Sequence, residues 1–207
     1  MLLFLRKWKE LQDIKMELAL RDWFYGTKIS MSMRTSDDPL TFLINIEGKD
    51  KGLYHEDDFI VVNELCEPVF LVEEKPASES SVHAAIYKKT SAECILQVQT
   101  VDSHLISEIY SEQGKVTFEP KNVSRVFGKE GIDNITIPIV DDEQAFVALM
   151  EEAEQFKKRG AVLIHNYGLV VWSGTPDETK NWLEGLEYLM NYHVKLLMIK
   201  GAQSSVI

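Results

Sequence analysis

Cysteine is scarce in this 207-residue sequence, and long hydrophobic runs are absent. The two cysteines, Cys66 and Cys94, do not have CxxC spacing, so we interpret them as reduced structural thiols. No stretch approaches the length of a membrane span. The apolar start, Met1–Leu5, passes at once into Arg6-Lys7, whereas a signal peptide has its positive charge first. These absences predict a cytoplasmic protein with no membrane partner.

Positive charge is also in short supply. The 22 Lys and Arg residues are outnumbered by 33 Asp and Glu residues, which gives a formal net charge of −11. An acidic surface is repelled by nucleic acid and by anionic membranes, so we expect neither as a partner. The hydrophobic content of 45% is enough for a sizeable core, and no repeat or linker interrupts the chain. The sequence therefore predicts one domain over residues 1–207.

Helical and strand patterns are mixed along the chain. Apolar residues at helical spacing predict a helix to about Arg21, and Thr175-Pro176 is a strong start for a closing helix. Shorter helices are predicted after Glu79, at Ser103 and at Asp141, where Gln144 completes a capping box. Alternating or apolar runs predict strands at 29–33, 41–46, 59–63, 68–72, 94–100, 116–118, 135–139, 161–164 and 169–172. This mixture predicts a layered α/β domain.

The strand from Cys94 to Thr100 carries an unusual polar pair. Side chains alternate on a strand, so Gln97 and Gln99 point to the same face. Two histidines at this spacing would suggest a metal-chelating pair. Glutamine amides bind zinc and similar ions far less well than imidazole does. The sequence therefore has the geometry of a metal site without its chemistry.

Two interpretations stay open for the basic loop from Gly48 to Gly52. Such a loop is commonly a solvated turn. Its backbone amides, together with Lys49 or Lys51, also suit a phosphate, which favours an anion-binding loop.

Several motifs spread over nearly the whole chain resemble the class II aldolase/adducin family. The resemblance is carried by Arg21-Asp22-Trp23-Phe24, Asp37-Asp38-Pro39-Leu40, Gly48-Lys49-Asp50-Lys51, Lys75-Pro76 with Glu79 and His83, Thr100-Val101-Asp102, Ala161–Ile164 with Val171-Trp172, and Glu184–Leu197. Within that family the sequence is most similar to bacterial sugar-phosphate dehydratases of methionine salvage. The resemblance implies a three-layer α/β/α domain with a mixed, largely antiparallel central sheet, usually assembled as a tetramer.

The family's active-site residues are replaced here. The resemblance implies a divalent metal such as zinc, held by a His-x-His pair and by a histidine in an Asn-His-Gly turn. These positions fall on Gln97, Gln99 and Tyr167. The catalytic glutamate of the dehydratases falls on Asn122, while Glu79 keeps a family catalytic position. The family's phosphate-binding positions fall on Lys28 and Ser30 and on Gly48, Lys49 and Lys51.

Losing three imidazoles and the acid/base together removes the metal's stabilisation of an enediolate and ~10²–10⁴-fold of proton-transfer catalysis. We therefore expect no metal cofactor and no lyase activity. The sequence predicts a non-catalytic binding or regulatory scaffold, whose partner could be another protein such as an active paralogue.

Two alternatives remain. One is an active dehydratase. The other is a related lyase with a site rebuilt from Glu79, His83 and His165, although His83 is also interpretable as a core histidine.

We also predict a homo-oligomer, most simply a tetramer. The chain has more large aromatic residues than one core of this size readily accommodates, including Trp8, Trp23, Phe24, Trp182 and Tyr192. A closed assembly would bury them without leaving open faces. The alternative is a monomer in which these residues belong to the core.

Overall fold

The computed structural model describes residues 2–24, 30–50, 52–119, 134–152 and 158–204. Its helices are α1 Leu2–Ala19, α2 Ser80–Lys89, α3 Val101–Tyr110, α4 Glu143–Glu152 and α5 Pro176–Ser204. Its strands are β1 Ser30–Asp37, β2 Leu40–Asn45, β3 Phe59–Asn63, β4 Cys94–Val98, β5 Lys115–Phe118, β6 Ile135–Val140, β7 Gly160–Ile164 and β8 Gly168–Ser173.

These eight strands form one sheet in the order β3-β2-β1-β4-β8-β7-β6-β5. Among the described strands only β6 and β7 pair in parallel, and the other neighbouring pairs are antiparallel. Helices α1, α3 and α5 pack on one face of the sheet, and α2 and α4 pack on the other. The predicted three-layer α/β/α arrangement with a mixed, largely antiparallel sheet is confirmed.

Side-chain alternation on β4 places the central polar residue. Cys94, Leu96 and Val98 belong to the core beneath α1, α3 and α5, whereas Ile95 belongs to the core beneath α2 and α4. Gln97 is on the same side of the strand as Ile95, and it is 1% exposed. The alternation predicted from sequence is present from Cys94 to Val98, and it directs Gln97 towards α2. The predicted strand to Thr100 is too long, because β4 ends at Val98, and the Gln99 amide contacts His104 of α3 rather than sharing the environment of Gln97.

Two helix starts differ from the sequence prediction by one to three residues. Thr100, and not Ser103, is the N-cap of α3. The Thr100 hydroxyl accepts from the Ser103 amide, and the Ser103 hydroxyl accepts from the Thr100 amide. At α4 the Asp142 carboxylate, and not that of Asp141, accepts from the Ala145 amide at 2.8 Å. Thr175 caps α5 as predicted, accepting from the Glu178 amide.

The predicted hairpin over residues 59–72 forms only in part. Val62 bridges to Pro68, and the Val69 amide donates to the Val61 carbonyl at 2.9 Å. Beyond that pair the returning arm leaves β3, so 70–72 is not a strand. The described helices include none that is both long and apolar enough to cross a membrane.

The aromatic residues predicted to cover an interface are mostly accounted for within the chain. Trp8, Trp23, Phe24 and Trp182 pack against the core beneath α1, α3 and α5. Tyr192 alone of the five is exposed, at 44%. Near the end of α5, Leu197 is exposed as well, although it continues the helical spacing of the apolar residues. Among the described side chains of α5, the last buried one is Val194.

Candidate functional site

The positions that the resemblance assigns to a metal site lie where β4 ends beside the turn 165–167. Gly168 follows this turn with a φ of +101°, a conformation that L side chains rarely adopt. A Cβ atom there would overlap the carbonyl oxygen of Val98 and lie 3.0 Å from its carbonyl carbon. Glycine therefore allows the turn to approach the end of β4 closely.

Gln97 connects the turn to β1. The Tyr167 carbonyl can only accept, so the Gln97 amide nitrogen faces it at 3.4 Å. The amide oxygen then accepts from the Ser30 hydroxyl at 3.1 Å. Since Ser30 has a single proton and donates it to Gln97, its oxygen must accept from Nε2 of His83, 2.6 Å away. This order assigns the proton of His83 to Nε2.

The other nitrogen of His83 is equally engaged. Its Nδ1 accepts from the Ser32 hydroxyl at 2.6 Å, and the Ser32 oxygen accepts from the Tyr87 hydroxyl at 2.8 Å. The hydrogen bonds therefore run in one direction, from Tyr87 through His83 and Ser30 to Gln97 and the turn. We call this set the buried polar chain. Every side chain that forms it is nearly inaccessible to solvent.

Burial keeps His83 neutral. The ring is fully buried, and desolvation lowers its pKa from 6.5 to about 3. Both nitrogens already have serine partners, so His83 has no free lone pair for a metal ion. The interpretation of His83 as a satisfied core histidine is the one that the geometry favours.

The donor set at the family's metal positions does not fit a transition metal. The Gln97 amide oxygen is occupied by Ser30. The Gln99 amide nitrogen lies 2.8 Å from Nε2 of His104 and 3.5 Å from the Asn166 carbonyl. Tyr167 packs against the core beneath α2 and α4. In the described ranges no three His, Cys, Asp or Glu residues come together as a possible metal site.

The residues of the hypothetical rebuilt site are not brought together. His83 is part of α2, whereas Nε2 of His165 pairs with the Glu108 carboxylate of α3 at 2.7 Å. These two helices cover opposite faces of the sheet. Glu79 is buried just before α2, and its carbonyl accepts from the Val82 and His83 amides. His83 and His165 therefore have separate partners, and the structure does not bring them together with Glu79 as one site.

The positions implied for phosphate binding have other partners in the described residues. Ser30 belongs to the buried polar chain. Lys49 forms an ion pair with Asp57 and donates to the Asp57 carbonyl at 3.0 Å, so its charge is already matched. Gly48 adopts a φ of +76° with open space around it. Lys28 and Lys51, like the acid/base position Asn122, lie outside the described residues.

A second buried polar group next to the site was missed by sequence reasoning. Glu187 of α5 is 4% exposed, and its Oε2 accepts from the Thr100 hydroxyl at 2.9 Å. Burial raises the pKa of this carboxyl to about 8, the Thr100 hydrogen bond opposes the rise, and the charge of Asp102 adds to it. Glu187 is therefore mostly protonated at pH 7. A glutamate within the apolar stripe of the closing helix was the available signal.

The fold corresponds to that of known proteins. The family model described as "Class II Aldolase and Adducin N-terminal domain" matches residues 9–194. The chain belongs to the class II aldolase and adducin family.

Two kinds of similar protein are found: relatives of similar sequence, and solved structures of similar fold but low sequence identity. Methylthioribulose-1-phosphate dehydratase from Geobacillus sp. (strain WCH70) is 42% identical over 206 residues, covering 97% of this chain and 95% of the relative. The protein of that name from Geobacillus kaustophilus (strain HTA426) is 40% identical over 205 residues, covering 98% of each chain. The crystal structure of l-fuculose-1-phosphate aldolase from Thermus thermophilus superposes with a TM-score of 0.73 at 17% identity, covering 95% of this chain and 97% of that one. The last likeness supports the fold alone.

Proposed function

We propose that this protein is a methylthioribulose-1-phosphate dehydratase-like protein that has lost metal-dependent lyase chemistry and acts as a non-catalytic binding or regulatory scaffold. The observation that carries the proposal is the buried polar chain. At the position of a family metal ligand, both polar atoms of Gln97 are committed to Ser30 and to the Tyr167 carbonyl. A metal at this position would gain only a neutral amide oxygen that already accepts a hydrogen bond from Ser30.

The first prediction concerns metal content. After dialysis against a mild chelator, the protein is expected to hold far less than one zinc, manganese or iron per chain, because amides and a phenol replace three imidazoles. The triple variant Gln97→His, Gln99→His, Tyr167→His is expected to regain metal before it regains activity, since Asn122 is unchanged. Metal analysis by mass spectrometry measures both. About one metal ion per wild-type chain that is lowered by Gln97→Ala would contradict the proposal.

The second prediction concerns turnover. Methylthioribulose 1-phosphate supplied with added zinc or manganese is expected to be neither dehydrated nor cleaved. A rate above about 0.1 s⁻¹, already below the ordinary enzyme range, would show that the chemistry persists. One of the relatives named as this dehydratase serves as the positive control under the same conditions. Product formation followed by mass spectrometry decides between the two results.

One finding favours a second candidate, an active methylthioribulose-1-phosphate dehydratase of methionine salvage. Relatives with this name are 37–42% identical to the chain over more than nine-tenths of its length. Similarity at this level reflects the shared fold as well as shared chemistry, and it does not replace the missing imidazoles. The turnover measurement distinguishes the two candidates directly.

We further propose a homo-oligomer, most simply a tetramer, located in the cytoplasm. Exposed large apolar residues remain on the described surface, including Phe70, Leu71, Tyr188 and Met198, and assembly would cover them. Both cysteines are free thiols, which fits a reducing compartment. Another protein, such as an active paralogue, is a further possible partner within such an assembly.

A further inference from the structure

An exposed apolar segment follows the edge strand β3. Val69, Phe70, Leu71 and Val72 are 45%, 66%, 106% and 43% exposed, and Leu65 in the preceding turn is 67% exposed. A run of large apolar side chains in water is unusual on the surface of a monomer and marks a site of interaction. We call these five residues the hairpin patch.

The segment that carries the hairpin patch is acidic. Between 53 and 74 the sequence has seven Asp or Glu residues and no Lys or Arg. Four of these acids, Glu64, Glu67, Glu73 and Glu74, are exposed beside the apolar side chains. Two copies of this patch facing each other would bring like charges together, which disfavours a symmetric patch-to-patch contact. A suitable partner surface is therefore apolar and lacks acids.

The end of α5 carries exposed apolar residues on a segment without acids. Tyr188, Tyr192, Lys195 and Ile199 recur at helical spacing, and the three apolar members are 53%, 44% and 57% exposed. From 188 to 207 the sequence has two Lys residues and no Asp or Glu. We call these four residues the α5 stripe. A helix end with exposed apolar residues gains stability when a partner covers it.

We propose that the hairpin patch of one copy docks on the α5 stripe of a second copy, in a head-to-tail contact. Both surfaces are apolar, and the segments that carry them are opposite in the sign of their charged residues. Because they are different surfaces, each bound copy still offers one free patch and one free stripe. Repetition of the contact closes into a ring when the rotation between copies permits it. The inference rests on the homo-oligomer of the proposed function and assigns the surfaces that build it.

Two surface variants test the contact. The hairpin variant has Phe70→Asp and Leu71→Asp, and the stripe variant has Tyr188→Glu and Ile199→Glu. All four side chains are more than half exposed, so the fold is expected to tolerate the changes. Each variant alone is expected to lose association by at least about 30-fold and to elute as one chain of 23.7 kDa. Leu20→Asp, at an 85% exposed position outside both surfaces, is the matched control.

Mixing the two variants is the decisive measurement. The intact stripe of the hairpin variant can bind the intact hairpin of the stripe variant, and the pair cannot extend further. Light scattering coupled to size exclusion is therefore expected to show a species of two chains in the mixture only, while circular dichroism confirms that each variant is folded.

The remaining outcomes overturn the inference in distinguishable ways. A wild-type protein that elutes as one chain would refute both the contact and the proposed assembly. An oligomer that survives in either variant would refute the contact and leave the assembly standing, built on other surfaces. Two monomeric variants that do not combine would show that the two surfaces do not bind each other. None of these results depends on whether the protein turns over a sugar phosphate.

Discussion

Replacing Asp58 with alanine is expected to lower the free energy of unfolding by about 3–5 kcal/mol. Asp58 forms an ion pair with Lys15 of α1, with Oδ1 2.7 Å from the ammonium nitrogen and side chains only 3% and 1% exposed. Lys15 also donates to the Leu53 carbonyl at 2.6 Å, and Asp58 accepts from the His55 amide at 3.0 Å. Removing the carboxylate would leave a buried ammonium without its counter-charge. Urea unfolding measures the change.

The neighbouring residue supplies the control. Asp57 also pairs with a lysine, Lys49, but its carboxylate is 64% exposed, so solvent already screens the pair. Asp57→Ala is expected to leave the unfolding free energy nearly unchanged. The double variant Lys15→Met with Asp58→Leu is expected to recover much of the loss, because no buried charge remains. A loss below about 1 kcal/mol for Asp58→Ala would contradict the prediction.

The second large effect is a loss of stability in acid that originates at His83. Its pKa is about 3 in the folded protein, whereas an ordinary histidine titrates near 6.5. Below pH 6.5 the unfolded chain binds a proton that the folded chain does not, so stability falls as the pH falls towards 3. Above pH 6.5 the imidazole is neutral in both states, so the titration of His83 costs no stability there. At pH 4 the loss from this one residue amounts to about 3 kcal/mol.

The variant His83→Gln isolates this effect. Glutamine keeps one donor and one acceptor for Ser30 and Ser32, but it does not titrate. The variant is expected to be less stable than wild type at pH 7 and to lose stability less steeply between pH 6.5 and 4. Carboxylates such as Glu187 titrate in both proteins, so their contributions cancel in the comparison. Parallel stability curves would refute the assignment, and His104→Gln, at a partly exposed histidine, provides the reference.

Much of the fold was predictable because local patterns determine it. The period-two alternation of β4 correctly predicted that Leu96 and Gln97 lie on opposite faces of the strand. The Thr175-Pro176 pair correctly predicted where α5 begins. Single-residue details depended on more than local pattern. Thr100 and Ser103 form one capping box, so sequence alone does not distinguish the cap from its third helical residue. Leu197 keeps the helical apolar spacing and is nevertheless exposed, because spacing alone does not show where a helix stops packing on the core.

The site was less predictable because it depends on strand pairing. The alternation of Ser30 and Ser32 on β1 and the spacing of His83 and Tyr87 on α2 are visible in the sequence. Their connection requires the register that sets Ser30 opposite Gln97, which no local pattern supplies. The buried pair of Lys15 and Asp58 gave no signal either, since each residue lies in an ordinary charged segment. The resemblance assigned Gln97, Gln99 and Tyr167 to metal-ligand positions, and the structure shows which groups these residues contact.

The buried carboxyl of Glu187 affects the electrophoretic mobility of the protein and its calorimetric enthalpy of unfolding. The formal net charge of −11 counts this residue as ionised, yet its pKa of about 8 keeps it mostly neutral in the folded protein at pH 7. The native protein therefore migrates as if it carried almost one negative charge fewer than its composition gives. Unfolding exposes the group, which then ionises and releases a proton to the buffer. The apparent enthalpy of unfolding at neutral pH consequently depends on the ionisation enthalpy of the buffer.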